Sequence, residues 1–130
     1  MRKIFMLALF IAFGFHAEAQ INNLTIEDVK HHTNKFGEFI EQDMNLLKEH
    51  VDNAPQTVLL ESRNLLRMKY EKLASLNGNE PKEKVEAFCH SLTERFRSLL
   101  GEEFPKVAED PAVIRQLSGL SLFVKQQNQN

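Results

Sequence analysis

Five histidines and a single cysteine are the side chains best suited to metal binding or nucleophilic chemistry, so their spacing is the first test of function. His31 and His32 are adjacent, and neighbours on a helix point about 100° apart, so they cannot share an ion as an i, i+4 pair does. His50 falls near a helix end, where a partly charged imidazole suits the dipole. His16 belongs to an apolar leader. Cys89 and His90 set a thiol beside a base, but consecutive helical side chains diverge and no third residue is placed to orient the base. Cys89 follows Phe88 on an apolar stripe, which suits a buried, inert thiol; the competing use is an intermolecular disulfide. No phosphate loop, zinc pattern or calcium loop is present. These residues point to a protein that is not an enzyme and carries no cofactor or metal.

Arg63, Arg67 and Tyr70 are four and three residues apart, on one side of a helix near Leu66 and Leu73. They suit either an exposed basic edge, with Arg67 paired to Glu71, or an arginine at the mouth of an apolar cavity that meets a carboxylate while Tyr70 offers a hydroxyl.

Those side chains must be held by helices. After a leader, Thr25 and Asp28 have capping-box spacing, and Ile26, Val29, Phe36, Ile40 and Leu47 recur at steps of three, four or seven. Gly37 is the expected division within this stretch. Asn53-Ala54-Pro55 is a stop and restart before Val58, Leu59, Leu65, Leu66, Leu73 and Leu76. Asn77-Gly78-Asn79 is the expected end of that helix, and Pro81 suits a new first turn. Val85, Phe88, Leu92, Phe96 and Leu99 form a third stripe ending at Gly101. Asp110 is the expected cap of the last stripe, Val113, Ile114, Leu117, Leu120 and Val124.

Residues 1–19 read as a cleaved secretory signal: Arg2 and Lys3 precede an apolar run from Ile4 to Phe15, and Ala17-Glu18-Ala19 fits a small-x-small cleavage site. Twelve helical residues reach about 18 Å, short of a bilayer core of about 30 Å, so no membrane span is expected. Secretion is the expected destination, and Asn23-Leu24-Thr25 is a glycosylation sequon if the source is eukaryotic. One cysteine allows no internal disulfide. The whole chain is 42% hydrophobic; without the leader the share falls to about 37% and the charge balance becomes 14 basic against 17 acidic side chains. That acidity argues against nucleic acid as a partner and against a polybasic membrane patch.

Between Phe36 and Leu120, a helix around Phe39, Ile40 and Leu47 leads to Val58-Leu59-Leu60-Glu61-Ser62-Arg63-Asn64-Leu65-Leu66, then Tyr70 and Leu73. Glu83 to Phe88, Phe96-Arg97-Ser98-Leu99 and Glu103-Phe104-Pro105-Lys106-Val107 follow. This order resembles the nematode fatty acid- and retinol-binding proteins, a family of secreted helical lipid carriers; only Gln20 to Lys35 precede the first matched helix, a shorter segment than its better-known members have. The resemblance implies a carrier that binds fatty acids, with retinol as a further ligand, and transient membrane contact during delivery.

Apolar doublets agree with broad stripes: Phe39 beside Ile40, Leu59 beside Leu60, Leu65 beside Leu66, Phe88 beside Cys89 and Leu99 beside Leu100. They could line a cavity, pack a core or bury a dimer face. The combined expectation is an all-α, single compact bundle of about five to seven short helices enclosing an apolar cavity. The lipid-binding domain spans 20–125, followed by a polar, disordered tail at 126–130. Expected ligand-binding residues are Phe39, Ile40, Leu59, Arg63, Leu66, Arg67, Tyr70, Phe88, Leu92 and Phe96. Burying a long acyl chain would supply on the order of 10 kcal/mol, against about 1.5–3 kcal/mol from one carboxylate contact. The alternative function is a secreted helical interaction module that forms a homodimer or docks a protein partner through its apolar stripe.

Overall fold

The computed structural model describes residues 24–123. The expected leader, Asn23 and the tail at 126–130 lie outside the described residues. Thr25 opens the first helix, α1 (Ile26–His31), through the expected reciprocal cap: its Oγ1 accepts from the Asp28 N–H at 3.1 Å, and its own N–H donates to Asp28 Oδ2 at 3.0 Å. A 3₁₀ turn, Thr33–Lys35, leads into α2 (Phe36–Lys48). The break therefore falls at His32–Lys35 and not at Gly37. His32 leaves helical geometry at φ −129°, whereas Gly37 is the second residue of α2 with open space around it, where a glycine lowers helix propensity without ending the helix.

Asn53, at φ 57°, and extended Pro55 turn the chain into α3 (Gln56–Ser75). That helix ends two residues earlier than the Asn77-Gly78-Asn79 signal indicates, with extended Leu76 as its cap. Asn77 and Gly78 belong to the following loop, and their N–H groups donate to the Glu80 carboxylate at 2.9 and 3.1 Å. Pro81 flanks α4 (Lys82–Leu100) just outside its first turn. A second 3₁₀ turn, Gly101–Glu103, precedes α5 (Phe104–Ala108) and α6 (Pro111–Ser118), and residues 120–123 are again helical. Asp110 caps α6 as expected, Oδ1 accepting from the Ala112 N–H at 3.0 Å. The all-α expectation holds: the described residues form six named α-helices and no strand. None of those helices is long and apolar enough to cross a membrane.

Helix α3 is the spine, touching α1, α2 and α4, while α6 lies across α2, α3 and α4 and is buttressed by α5. The stripes meet in one core: Ile40, Met44 and Leu47 from α2, Leu66 and Leu73 from α3, Leu92 and Phe96 from α4, and Val113 and Leu117 from α6. Fully burying such side chains stabilises by about 1.5–3 kcal/mol each before conformational entropy is charged against it. Phe36, Phe39 and Tyr70 form a tilted aromatic trio with ring centroids 5.5–6.4 Å apart. The doublets sort by helical angle. Leu65 and Leu66 are both buried, Phe88 and Leu99 are half-buried beside buried Cys89 and Leu100, and Leu60 points outward at 52% exposure.

Candidate functional site

Two charged residues occupy stripe positions. Asp43 stands three residues after Ile40 and four before Leu47, and Lys69 stands three after Leu66 and four before Leu73. Helical periodicity therefore turns both inward, where they are 1% and 0% exposed. Lys69 Nζ donates to Asp43 Oδ2 at 2.5 Å and to the Gln116 carbonyl oxygen at 2.8 Å. The Tyr70 hydroxyl donates to Asp43 Oδ2 at 2.6 Å, and Gln116 Nε2 donates to Asp43 Oδ1 at 3.1 Å. Gln116 Oε1 in turn accepts from the Ser121 hydroxyl at 3.3 Å.

One carboxylate thus gathers donors from α3 and α6, and one ammonium ties α2 to the end of α6. The ammonium also lies 4.4 Å from the Tyr70 ring centroid. Burial pushes the Lys69 pKa down, and the charge and hydrogen bond of Asp43 oppose it. Burial together with the Asp43 charge pushes the Tyr70 hydroxyl up. The cluster is sealed from solvent and ties α2, α3 and α6 together at one point. On the same face of α3, Ser62 Oγ is buried with no hydrogen-bond partner among the described residues.

The residues expected to bind a ligand separate into different surroundings. Phe39, Ile40, Leu66, Tyr70, Leu92 and Phe96 are buried in the shared core. Leu59 and Phe88 are half-buried at its edge, the Phe88 ring 5.6 Å beneath Lys72 Nζ. Arg63 grips Glu41 through Nε at 2.8 Å and Nη2 at 3.2 Å, bridging α3 to α2 at the surface. The Arg63 hydrogen bond holds the Glu41 carboxyl below its ordinary range, but solvent screens so exposed a pair. Arg67 is exposed and forms no ion pair with Glu71, so Arg63, Arg67 and Tyr70 do not converge on one site. Stepping from 63 to 67 rotates the side chain about 40° away from the line joining 63 and 70, toward solvent.

The described histidines make separate contacts. His31 approaches Glu27 at 3.4 Å on α1, His50 Nδ1 bonds the Leu46 carbonyl at the end of α2, and His90 is exposed. Among the described residues no group of three or more His, Cys, Asp or Glu side chains could hold a metal. Cys89 is buried, and burial pushes its thiol up to about 11, with the Lys69 charge pulling the other way.

An open groove of about 530 Å³ runs between α3 and α4, lined by Glu61, Leu65, Ser91, Glu94, Arg95, Ser98 and Leu99. Leu65 is buried and Leu99 half-buried, giving an apolar floor. At the rim Glu94 pairs with Arg97 at 3.3 Å, and an Arg95 Nη1 reaches Met68 Sδ at 3.6 Å. Glu61 is exposed and makes no ion pair among the described residues. Comparison with known protein families, with curated proteins and with solved structures finds no match to this chain.

Proposed function

We propose that this chain is an exported, non-catalytic helical module that docks an amphipathic helix of a protein partner in the groove between α3 and α4. The observation that carries this reading is the groove itself, with Leu65 and Leu99 at its floor and unpaired Glu61 at its rim. A helix in a groove is held by apolar side chains at helical spacing and steered by charge at the edges. Glu61 and the acidic balance of the chain call for Lys or Arg on that partner. The leader-like first 19 residues support export.

The carrier reading implied by the resemblance asks more of the fold. Six of its ten expected ligand contacts would have to face a lipid instead of one another. A photo-crosslinking amino acid at Ser98, in cells of the source organism, separates the readings. One discrete protein adduct, cross-linked through an amphipathic segment rich in Lys or Arg and lost in a folded Leu99→Glu variant, is the expected result. An adduct of the chain with itself would reassign the groove to a homodimer. Retention of a fatty acid with no protein adduct would overturn the proposal in favour of the carrier.

A further inference from the structure

The loop between α3 and α4 holds an arrangement that neither the core nor the groove uses. Of the chain's asparagines only Asn77 is followed by glycine, and Asn77, Gly78 and Asn79 are all exposed. The Asn77 side-chain oxygen Oδ1 accepts the Asn79 N–H at 2.9 Å. The Gly78 N–H donates to Glu80 Oε1 at 3.1 Å, and the Asn77 N–H donates to Oε2 at 2.9 Å. An electrophilic carbon, the amide nitrogen that can attack it, a donor on its oxygen and a carboxylate on the attacking N–H therefore stand together in consecutive residues. We propose that this loop is a self-modification site, in which the Gly78 nitrogen displaces ammonia from the Asn77 side chain with Glu80 as the general base.

The Gly78 nitrogen and Asn77 Cγ are joined through C, Cα and Cβ of Asn77, so a bond between them closes a five-membered ring. Gly78 sets no side chain beside the attacking nitrogen, and at φ 90° the space where a Cβ would stand is open. As the nitrogen attacks Cγ its proton passes to Glu80, and the Cγ–Oδ1 π electrons become an oxyanion held by the Asn79 N–H. The oxyanion then restores the carbonyl, the Cγ–Nδ2 bond breaks, and Glu80 returns the proton to the departing nitrogen, which leaves as ammonia. One side-chain amide and one backbone N–H thus give one succinimide and one ammonia, with Glu80 regenerated. Water is the co-reactant of the second step. Opening the ring at Cγ leaves an aspartate at 77, and opening it at the backbone carbonyl leaves an isoaspartyl link that runs the chain through the side chain. Either product adds a negative charge to the α3–α4 connection. The Asn77 N–H above all, with the N–H groups of Glu80 itself and Gly78 and the Lys30 charge on α1, outweighs desolvation and holds the Glu80 carboxyl below its ordinary range, so the base is ionised at neutral pH.

The test incubates the folded protein, and the same chain unfolded in urea, across the range from about pH 6 to about pH 8. Peptide mass spectrometry reads aspartate and isoaspartate at position 77, and an ammonia assay reads the leaving group. With an ionised carboxylate already in place, the folded-state rate should be nearly independent of pH. At the acid end of that range it should exceed the rate in urea by about a hundredfold, the low end of what a positioned base supplies. In the unfolded chain hydroxide must remove the proton, so the rate there should climb about tenfold per pH unit. Glu80→Gln keeps an oxygen to accept an N–H but cannot take the proton. The folded variant, helical by circular dichroism, should lose the fast rate and acquire the pH slope of the unfolded chain. A wild-type folded rate at or below the rate in urea would overturn the proposal, and so would a fast, pH-independent rate that persists in folded E80Q. The wild-type comparison needs no variant and decides by itself.

Discussion

Lys69 Nζ lies 2.5 Å from Asp43 Oδ2, and both side chains are sealed in the core. The pair joins α2 to α3, and Gln116 brings α6 to the same point. A buried pair of this kind costs desolvation, and removing one partner leaves the other charge buried and uncompensated.

Removal of the cation alone should therefore be severe. Lys69→Met leaves the Asp43 carboxylate buried with only the Tyr70 and Gln116 donors, and the expected loss is about 3–5 kcal/mol. Urea denaturation followed by circular dichroism reads it directly. A loss below about 1 kcal/mol would show that the pair does not organise the core.

Gly119 and Gly78 form a controlled comparison. Both have φ near 90°, but only at Gly119 does an added Cβ meet Lys69; Gly78 faces open space. Gly78→Ala should cost about 1–2 kcal/mol from backbone strain alone. Gly119→Ala should cost more, and thermal melts of the two variants measure the difference. Equal losses would mean that the turn does not rest on the lysine stem.

Much of the helical framework was legible because caps and stripes act locally. Thr25 with Asp28, Asp110 before Pro111, and the separate apolar stripes through Ile40, Leu66, Leu92 and Leu117, each built on steps of three or four, follow from helix geometry alone. The polar cluster leaves a fainter signal in the sequence: Asp43 and Lys69 interrupt apolar stripes at inward positions. Their mutual recognition spans 26 residues, and Gln116 joins from 73 residues beyond Asp43, so local periodicity could place each inward without pairing them. The groove was hidden for a related reason. Whether Leu99 lines a core or a surface depends on how α3 and α4 are rotated against each other, which tertiary packing decides.

Ser62 supplies an independent check on packing. Its buried hydroxyl has no partner among the described residues, so Ser62→Ala removes an unsatisfied polar atom and should leave stability unchanged or raise it by about 1 kcal/mol. A loss of more than about 1 kcal/mol in urea denaturation would reveal a role for that hydroxyl.

Cys89 gives a pH prediction. With its folded pKa raised to about 11, above that of an exposed thiol, its contribution to stability is fully present below the unfolded pKa. It declines as pH rises from the ordinary thiol range through about 11. The folded protein at pH 8 should resist iodoacetamide, whereas urea-unfolded protein reacts at once, as mass spectrometry of the adduct will show. Rapid alkylation in the native state would contradict burial of the thiol.

Native mass spectrometry of the protein isolated from its source, with organic extraction of the same sample, tests the proposed docking most directly. The expected spectrum contains a complex with one protein partner, carries no stoichiometric acyl lipid, and loses that complex in the Leu99→Glu variant while the variant stays helical. A chain that carries one fatty acid per molecule and forms no protein complex would contradict it.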